Sequence, residues 1–414
     1  MKGVILKLEV EEIVAAINKS YQAENWQEVK RLNSFLADIE IDRKYEIFQH
    51  WPEVVQIELT SKCNAQCIMC SHYYEFNDCG HEISDSVLIK FEELLPYCKL
   101  VLLNGYGEPF ISKHFIHCLK LLQKYNVKAM ITTNLSILTD EMLRYIPDVF
   151  SEINVSCNGY DAVTYERVHR GLDFGKFEMN LSRLMKVCDN KNITLSCVAM
   201  AETIIYIPEI VRFANKYGIH KIRFGRLGIS AFIRNYEQDL IHYSNVAAYY
   251  FGEAEKIAQL YGIRLIYPEN YCKQPDDNLL NGEIQEITNI KFKYDSTYQM
   301  RLRNEFLQYM DYKTYGQIDR KYDNTPVHCI GICDWVAKGL YIDTQGNMFT
   351  CCESDFVNYQ GNWNSENSFK IRKYFYSGFL PNFCKNCPFI LNGELKMLSC
   401  EKMEQLYLSN DYLI

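Results

Sequence analysis

Between residue 54 and about residue 227 the hydrophobic pattern switches repeatedly between a period of two and a period near 3.6. Stretches with the short period predict strands at Val54–Thr60, Lys99–Asn104, Lys128–Asn134, Glu152–Asn158, Ile193–Met200 and Lys221–Leu227. Segments such as Ser86–Tyr97, Lys113–Tyr125 and Phe177–Cys188, which separate them, carry helical spacing. Strand and helix alternating in this way imply parallel strands with right-handed crossovers, hence a doubly wound sheet or a barrel.

Parity along the strands adds detail. One face collects Gln56, Glu58, Thr60, Asn104, Thr132, Asn134, Asn154, Ser156, Asn158, Thr194 and Ser196, while the opposite face is nearly all Val, Ile, Leu and Cys. A filled eight-stranded barrel would pack bulky branched residues inside. A polar inner face instead predicts a lumen that holds a polar cofactor and substrate.

The flanks read differently. Residues 1–50 carry helical spacing at Glu11–Asn18 and Trp26–Ala37 and predict an N-terminal helical arm leading into Trp51-Pro52. Residues 51–230 are the strand-helix core. Residues 231–325, rich in Tyr, Asn, Asp and Lys, read as a connector that covers the substrate, with a helix at Val246–Tyr261 and a strand at Ile263–Tyr267. Residues 326–414 form a cysteine-rich C-terminal region.

With 48% hydrophobic residues, 23% charged residues and a net charge of -8, the composition is that of an ordinary globular chain. No basic patch invites nucleic acid. No apolar run approaches the length of a membrane span, and the opening residues lack a signal-peptide core, so a cytoplasmic location is expected. Seventeen cysteines are many for a compartment that keeps thiols reduced, which turns attention from disulfides to metal and redox chemistry.

The first cysteine group, Glu58-Leu-Thr-Ser-Lys-Cys63-Asn-Ala-Gln-Cys67-Ile-Met-Cys70, ends the first strand. Thiolates are natural ligands of iron-sulfur clusters. Three of them leave one iron of a 4Fe-4S cube without a protein ligand, free to chelate the amino and carboxylate groups of a small molecule and pass it an electron. Ligand arithmetic also leaves a structural zinc site open, completed locally by His72 or Cys79.

This C-x3-C-x2-C spacing at the end of a first strand resembles the radical S-adenosylmethionine (SAM) superfamily. The resemblance implies a partial (β/α)6 TIM-type barrel, an open iron that binds SAM, and reductive cleavage of SAM to a 5'-deoxyadenosyl radical that takes a hydrogen atom from the substrate. It also implies an electron donor such as flavodoxin or ferredoxin. Met69 stands where many members carry an aromatic residue.

Asn104-Gly-Tyr106-Gly107-Glu108-Pro, after the second strand, looks like the family's Gly-Gly-Glu element, whose backbone carbonyls accept hydrogen bonds from the SAM amino group. Asn134, Ser156 and Asn158 match positions that in similar proteins face the SAM ribose and carboxylate. Thr164-Tyr-Glu-Arg167-Val-His-Arg170-Gly171 resembles a segment whose arginine pairs the SAM carboxylate, with Arg170 the first choice and Arg167 the alternative.

The second group comprises Cys329, Cys333, Cys351, Cys352, Cys384, Cys387 and Cys400. Gly339–Ile342 and Asn347–Thr350 read as a hairpin around a Gln-Gly turn that ends at Cys351. The stretch resembles the C-terminal SPASM or twitch domain of radical SAM enzymes. No cysteine follows Cys387 closely, which favours one auxiliary 4Fe-4S cluster on Cys333, Cys351, Cys384 and Cys387, with Cys329 and Cys352 as substitutes. A zinc ribbon is the alternative for this group.

Cys157 and Cys197 face the apolar side, and Cys98, Cys118 and Cys188 lie in or beside helical runs, where a thiol is usually a small buried hydrophobe. Cys272, in the polar connector, is a candidate to return a hydrogen atom to a carbon radical, as an epimerase requires. The substrate expected is a small polar alcohol, sugar or aminocyclitol, oxidised or epimerised at a carbon, because an arm of about fifty residues is short for a peptide-recognition domain. The alternatives are crosslinking, epimerisation or oxidation of a ribosomal peptide or protein side chain, and a non-catalytic iron-sulfur or zinc protein.

Overall fold

The computed structural model describes residues 10–70, 72, 80–227, 238, 240–268, 275–289, 331–351, 361–380, 384 and 397–398. Strands β1 (Val54–Ile57), β2 (Leu100–Leu103), β3 (Lys128–Thr133), β4 (Phe150–Ser156), β5 (Ile193–Val198) and β6 (Lys221–Gly225) lie side by side in chain order, every neighbouring pair parallel. All six correspond to the strands expected from periodicity. Helices fill the connections, among them Asp85–Leu94, Phe115–Lys124 and Phe174–Met185. Ser84, Thr139 and Asp173 each start a helix by accepting a hydrogen bond from a backbone N–H of its first turn.

The predicted two-faced character of the strands is realised. Val55, Ile57, Val101, Leu103, Ile131, Ile153, Val155 and Leu195 are buried beneath the helices, together with Cys157 and Cys197. The other face carries Gln56, Asn104, Thr132, Asn154, Ser156, Thr194 and Ser196, and register aligns Asn154 with Thr132 and Thr194, and Ser156 with Ser196. Parallel pairing sets equivalent residues level across the sheet, so the polar side chains form tiers across its concave side.

Pairing continues on both edges. β7 (Arg264–Ile266), in the segment read as a connector, adds parallel to β6 after the helix Ser244–Tyr261. β8 (Ile332–Cys333) forms a separate antiparallel pair with β11 (Met397–Leu398). The expected C-terminal hairpin is present as β9 (Gly339–Ile342) and β10 (Met348–Phe349), but it does not stand apart. β9 pairs parallel with β1, residue for residue from Val54 with Gly339 to Ile57 with Ile342, which gives a nine-stranded sheet among the described residues.

The arm helices α1 (Val10–Gln22) and α2 (Trp26–Asp42) bury Val10, Ile13, Ile17, Val29, Leu32 and Leu36 against each other. Three polar joints tie this region and the segment that follows it to residues 337–338 and 363–372. His50 faces the Glu40 carboxylate through Nδ1 at 2.6 Å and donates from Nε2 to the Ala337 carbonyl at 2.9 Å. Lys338 pairs with Asp38 at 2.7 Å and Glu53 at 3.4 Å; burial disfavours its charge, but these carboxylates outweigh that and raise its pKa. Arg372 is fully buried with its guanidinium 3.8 Å from the centre of the Phe48 ring and 4.8 Å from that of Trp363, and donates to the Glu46 and Trp363 carbonyls.

Candidate functional site

Parallel strands deliver their carboxyl ends to one rim, and loops there are the natural place for a site. The loop after β1 carries Cys63, Cys67 and Cys70 and is bound at two levels to the end of the helix Ala162–Val168 and the residues just after it. Gln66 N–H donates to the Arg170 carbonyl at 2.8 Å and Ile68 N–H to the Val168 carbonyl at 3.0 Å. Ile68, Val168, Met200 and Leu227 bury one another beside the loop, with Met69 packed against them. This apolar lining dries one side of the thiol cluster.

The three thiols interact electrostatically. Burial pushes the Cys63 thiol up to about 11, with Glu108 and Cys70 adding to the shift, and burial first, then Cys70 and Cys63, holds the Cys67 thiol well above its ordinary value. Two thiols, Cys63 and Cys67, that resist ionisation beside a third are suited to a cationic group that takes up the thiolate charge as their protons leave. Among the described residues, no three His, Cys, Asp or Glu side chains converge as they would around a single metal ion. Three cysteine thiols on one loop are donors of the kind an iron-sulfur cluster takes.

A brace fixes the rim. Glu108 N–H donates to the Lys62 carbonyl at 2.8 Å, which latches the glycine loop to the cysteine loop. The buried Glu108 carboxylate accepts from Thr133 Oγ1 at 2.6 Å, Phe110 N–H at 3.1 Å and Asn134 N–H at 2.7 Å, and so ties in the end of β3. Burial nevertheless pushes its pKa up to about 7 against these three donors. Gly107 lies so close to the cysteine loop that a Cβ there would overlap the Thr60 and Lys62 carbonyl oxygens, and one at Gly105 would overlap the Glu58 side chain.

The residues singled out from sequence for SAM gather on this rim, though several have their own commitments. Tyr106 is exposed, and its N–H donates to Glu58. Asn134 donates from Nδ2 to Asn64 Oδ1 at 3.0 Å and so touches the cysteine loop directly. Ser156 is half-buried on the polar face. Asn158 is buried, and its Oδ1 accepts from Val198 N–H at 2.6 Å. Arg170 is half-buried beside the loop, whereas Arg167 is committed to an ion pair with Glu202.

Sequence reasoning did not assign His169, which the fold places against Cys67 with Nδ1 at 3.3 Å from Sγ. Burial lowers the pKa of its ring to about 4. Nor did it assign Thr133 and Asn64, which link the loops. A histidine between two arginines on a helix end carries no spacing signal, because its partner is 102 residues away.

In the C-terminal region Cys333 and Cys351 come near enough to interact electrostatically, and burial pushes the Cys333 thiol up to about 12. Cys384 is buried. Cys272, Cys329, Cys352, Cys387 and Cys400 lie outside the described residues, as does Cys79.

Residues 57–214 match the Radical SAM superfamily, and the span encloses the cysteine loop, the glycine-glutamate brace and His169. Residues 57–214 thus carry a radical SAM domain, a family whose cofactors are a 4Fe-4S cluster and SAM. It is 26% identical over 172 residues to the tungsten-containing aldehyde ferredoxin oxidoreductase cofactor-modifying protein of Pyrococcus furiosus, covering 39% of this chain and 48% of that protein. A probable GTP 3',8-cyclase of Methanocaldococcus jannaschii is 22% identical over 175 residues, 40% of this chain and 55% of that one. The chain thus spans about half the length of these two relatives. Among solved structures, native anSMEcpe with bound AdoMet and the Kp18Cys peptide superimposes with a TM-score of 0.50 at 15% identity, covering 81% of this chain and 86% of that one. At that identity the likeness speaks to the fold, the partial barrel of radical SAM enzymes. Among the described residues no helix is long and apolar enough to cross a membrane.

Proposed function

We propose that Cys63, Cys67 and Cys70 hold a 4Fe-4S cluster with one iron left for SAM, and that the chain oxidises or epimerises a carbon of a small polar alcohol, sugar or aminocyclitol. When bound, the cluster and SAM supply an electron and a radical able to remove a hydrogen atom from carbon. The protein's own contribution is placement. The glycine loop brings backbone close to the cysteine loop, Glu108 locks both to β3, and the lining around Ile68 and Met200 excludes water.

One observation carries the substrate reading. Asn154, on the polar face between Thr132 and Thr194, has its Oδ1 buried with no hydrogen-bond partner among the described residues. A buried amide oxygen without a donor is costly, and an O–H or N–H of a bound molecule removes that cost. The uncharged tiers of Asn, Thr and Ser around it suit a neutral polyol or amino alcohol. The two sequence relatives, named for a cofactor and for GTP, support a small-molecule substrate. In this reading Cys333, Cys351 and Cys384, joined by Cys387, hold one auxiliary cluster, and a flavodoxin or ferredoxin of the cytoplasm delivers the electron.

The test is anaerobic reconstitution followed by dithionite and SAM, with chromatography of 5'-deoxyadenosine. Its formation, stimulated by aminocyclitols or sugars more than by peptides, is expected. Iron-loaded protein that forms none refutes the enzyme reading, and stimulation by peptides alone refutes the substrate class.

A further inference from the structure

His169 forms two contacts whose chemistry is decided by one of them. Its Nε2 receives the backbone N–H of Asn158 at 3.1 Å. A backbone amide can only donate, so Nε2 must present its lone pair, and the same atom lies 3.1 Å from Asn158 Nδ2, a second donor. A ring that accepts at Nε2 carries its hydrogen on Nδ1. That hydrogen faces the Cys67 sulfur at 3.3 Å. The ring is fully enclosed and packs at a tilt of 33° against Tyr165 with centroids 4.6 Å apart, so the tautomer and its direction are both held.

We infer that His169 is a positioning residue for the SAM-binding cluster, donating an N–H hydrogen bond to the Cys67 sulfur while it holds Asn158 on the opposite edge of the ring. This rests on the reading that Cys67 is a cluster ligand. A hydrogen bond to a ligating sulfur stabilises the reduced cluster, which carries one more negative charge, and so raises its reduction potential. The arrangement eases entry of the electron on which SAM cleavage depends. It also couples two regions of the rim, because any shift of β4 that moves Asn158 turns the ring against the sulfur.

Two amide substitutions separate the ring's edges. In His169→Gln the amide reaches the place of Nε2 and retains Asn158, leaving the sulfur without a donor. In His169→Asn the shorter amide offers N–H near the place of Nδ1 and retains the sulfur contact. Reconstituted full-length protein is titrated potentiometrically with EPR detection, and the signal that changes when SAM is added identifies the open-iron cluster.

For His169→Gln, the reduced-to-oxidised ratio at the wild-type midpoint should fall about tenfold, a shift of about 59 mV to lower potential. His169→Asn should stay near wild type. In wild-type protein labelled with 15N-histidine, pulsed EPR should show a nitrogen coupling that is lost in His169→Gln. An unshifted His169→Gln, an equal shift in both variants, or no histidine coupling in wild type overturns the inference. A SAM-responsive signal that survives Cys67→Ala overturns the ligand assignment itself, a distinct result.

Discussion

Glu108 offers a test of the brace that needs no iron. In the folded protein its carboxyl keeps a proton up to about pH 7, against an ordinary value of 4.5. Between those values the native state binds more protons than the unfolded chain, so stability falls as pH rises through the window. At 1.36 kcal/mol per unit, and with partial ionisation included, the loss between about pH 5 and about pH 8 comes to about 2.5 kcal/mol. Glu108→Gln removes the titration. It also points an amide NH2 at either the Asn134 N–H or the Thr133 and Phe110 donors, an offset of about 1–3 kcal/mol that does not depend on pH. Urea unfolding of cluster-free wild type and variant at both pH values isolates the titrating part. The stability of wild type relative to Glu108→Gln should drop by about 2.5 kcal/mol from the lower pH to the higher. A difference that is constant, or that grows with pH, would show that the three donors hold the carboxylate ionised and that burial does not dominate.

Other outcomes follow from the same contacts. Changing Cys63, Cys67 and Cys70 together to Ala should abolish 5'-deoxyadenosine formation yet leave about four irons per chain on the C-terminal cysteines; loss of all iron, measured by colorimetric assay, would contradict two independent sites. Gly107→Ala forces a methyl onto the Thr60 and Lys62 carbonyls and should lower stability by about 1–3 kcal/mol, with reduced iron uptake after reconstitution. Arg372→Leu leaves the buried Trp363 carbonyl and the part-buried Glu46 carbonyl without their donor and should cost about 1–3 kcal/mol in urea unfolding, the penalty of one buried unpaired acceptor.

Much of the core is legible in the sequence. The strands β1 to β6 came from a two-residue period, and the division into a buried apolar face and a polar concave face followed from parity, because side chains on a strand must alternate. Cys63, Cys67 and Cys70 announced themselves by spacing within one loop, and Gly107-Glu108 by following a strand end. What stayed hidden was what each residue does with its neighbours. Glu108 reads from sequence as a cofactor contact through its backbone, and nothing in the sequence signals that its carboxylate also holds Thr133, Phe110 and Asn134. The C-terminal hairpin was recognised, but nothing in it announced that β9 would extend the core sheet beside β1.

The opening pattern of apolar and polar residues therefore determined which backbone segments are strands and which way their side chains divide, since both depend on neighbours one to four positions apart. Tertiary structure alone decided which segments meet. The His50–Ala337 contact closes over 287 residues and the His169–Cys67 contact over 102. Such pairings depend on where the chain returns after folding, and local periodicity carries no record of that.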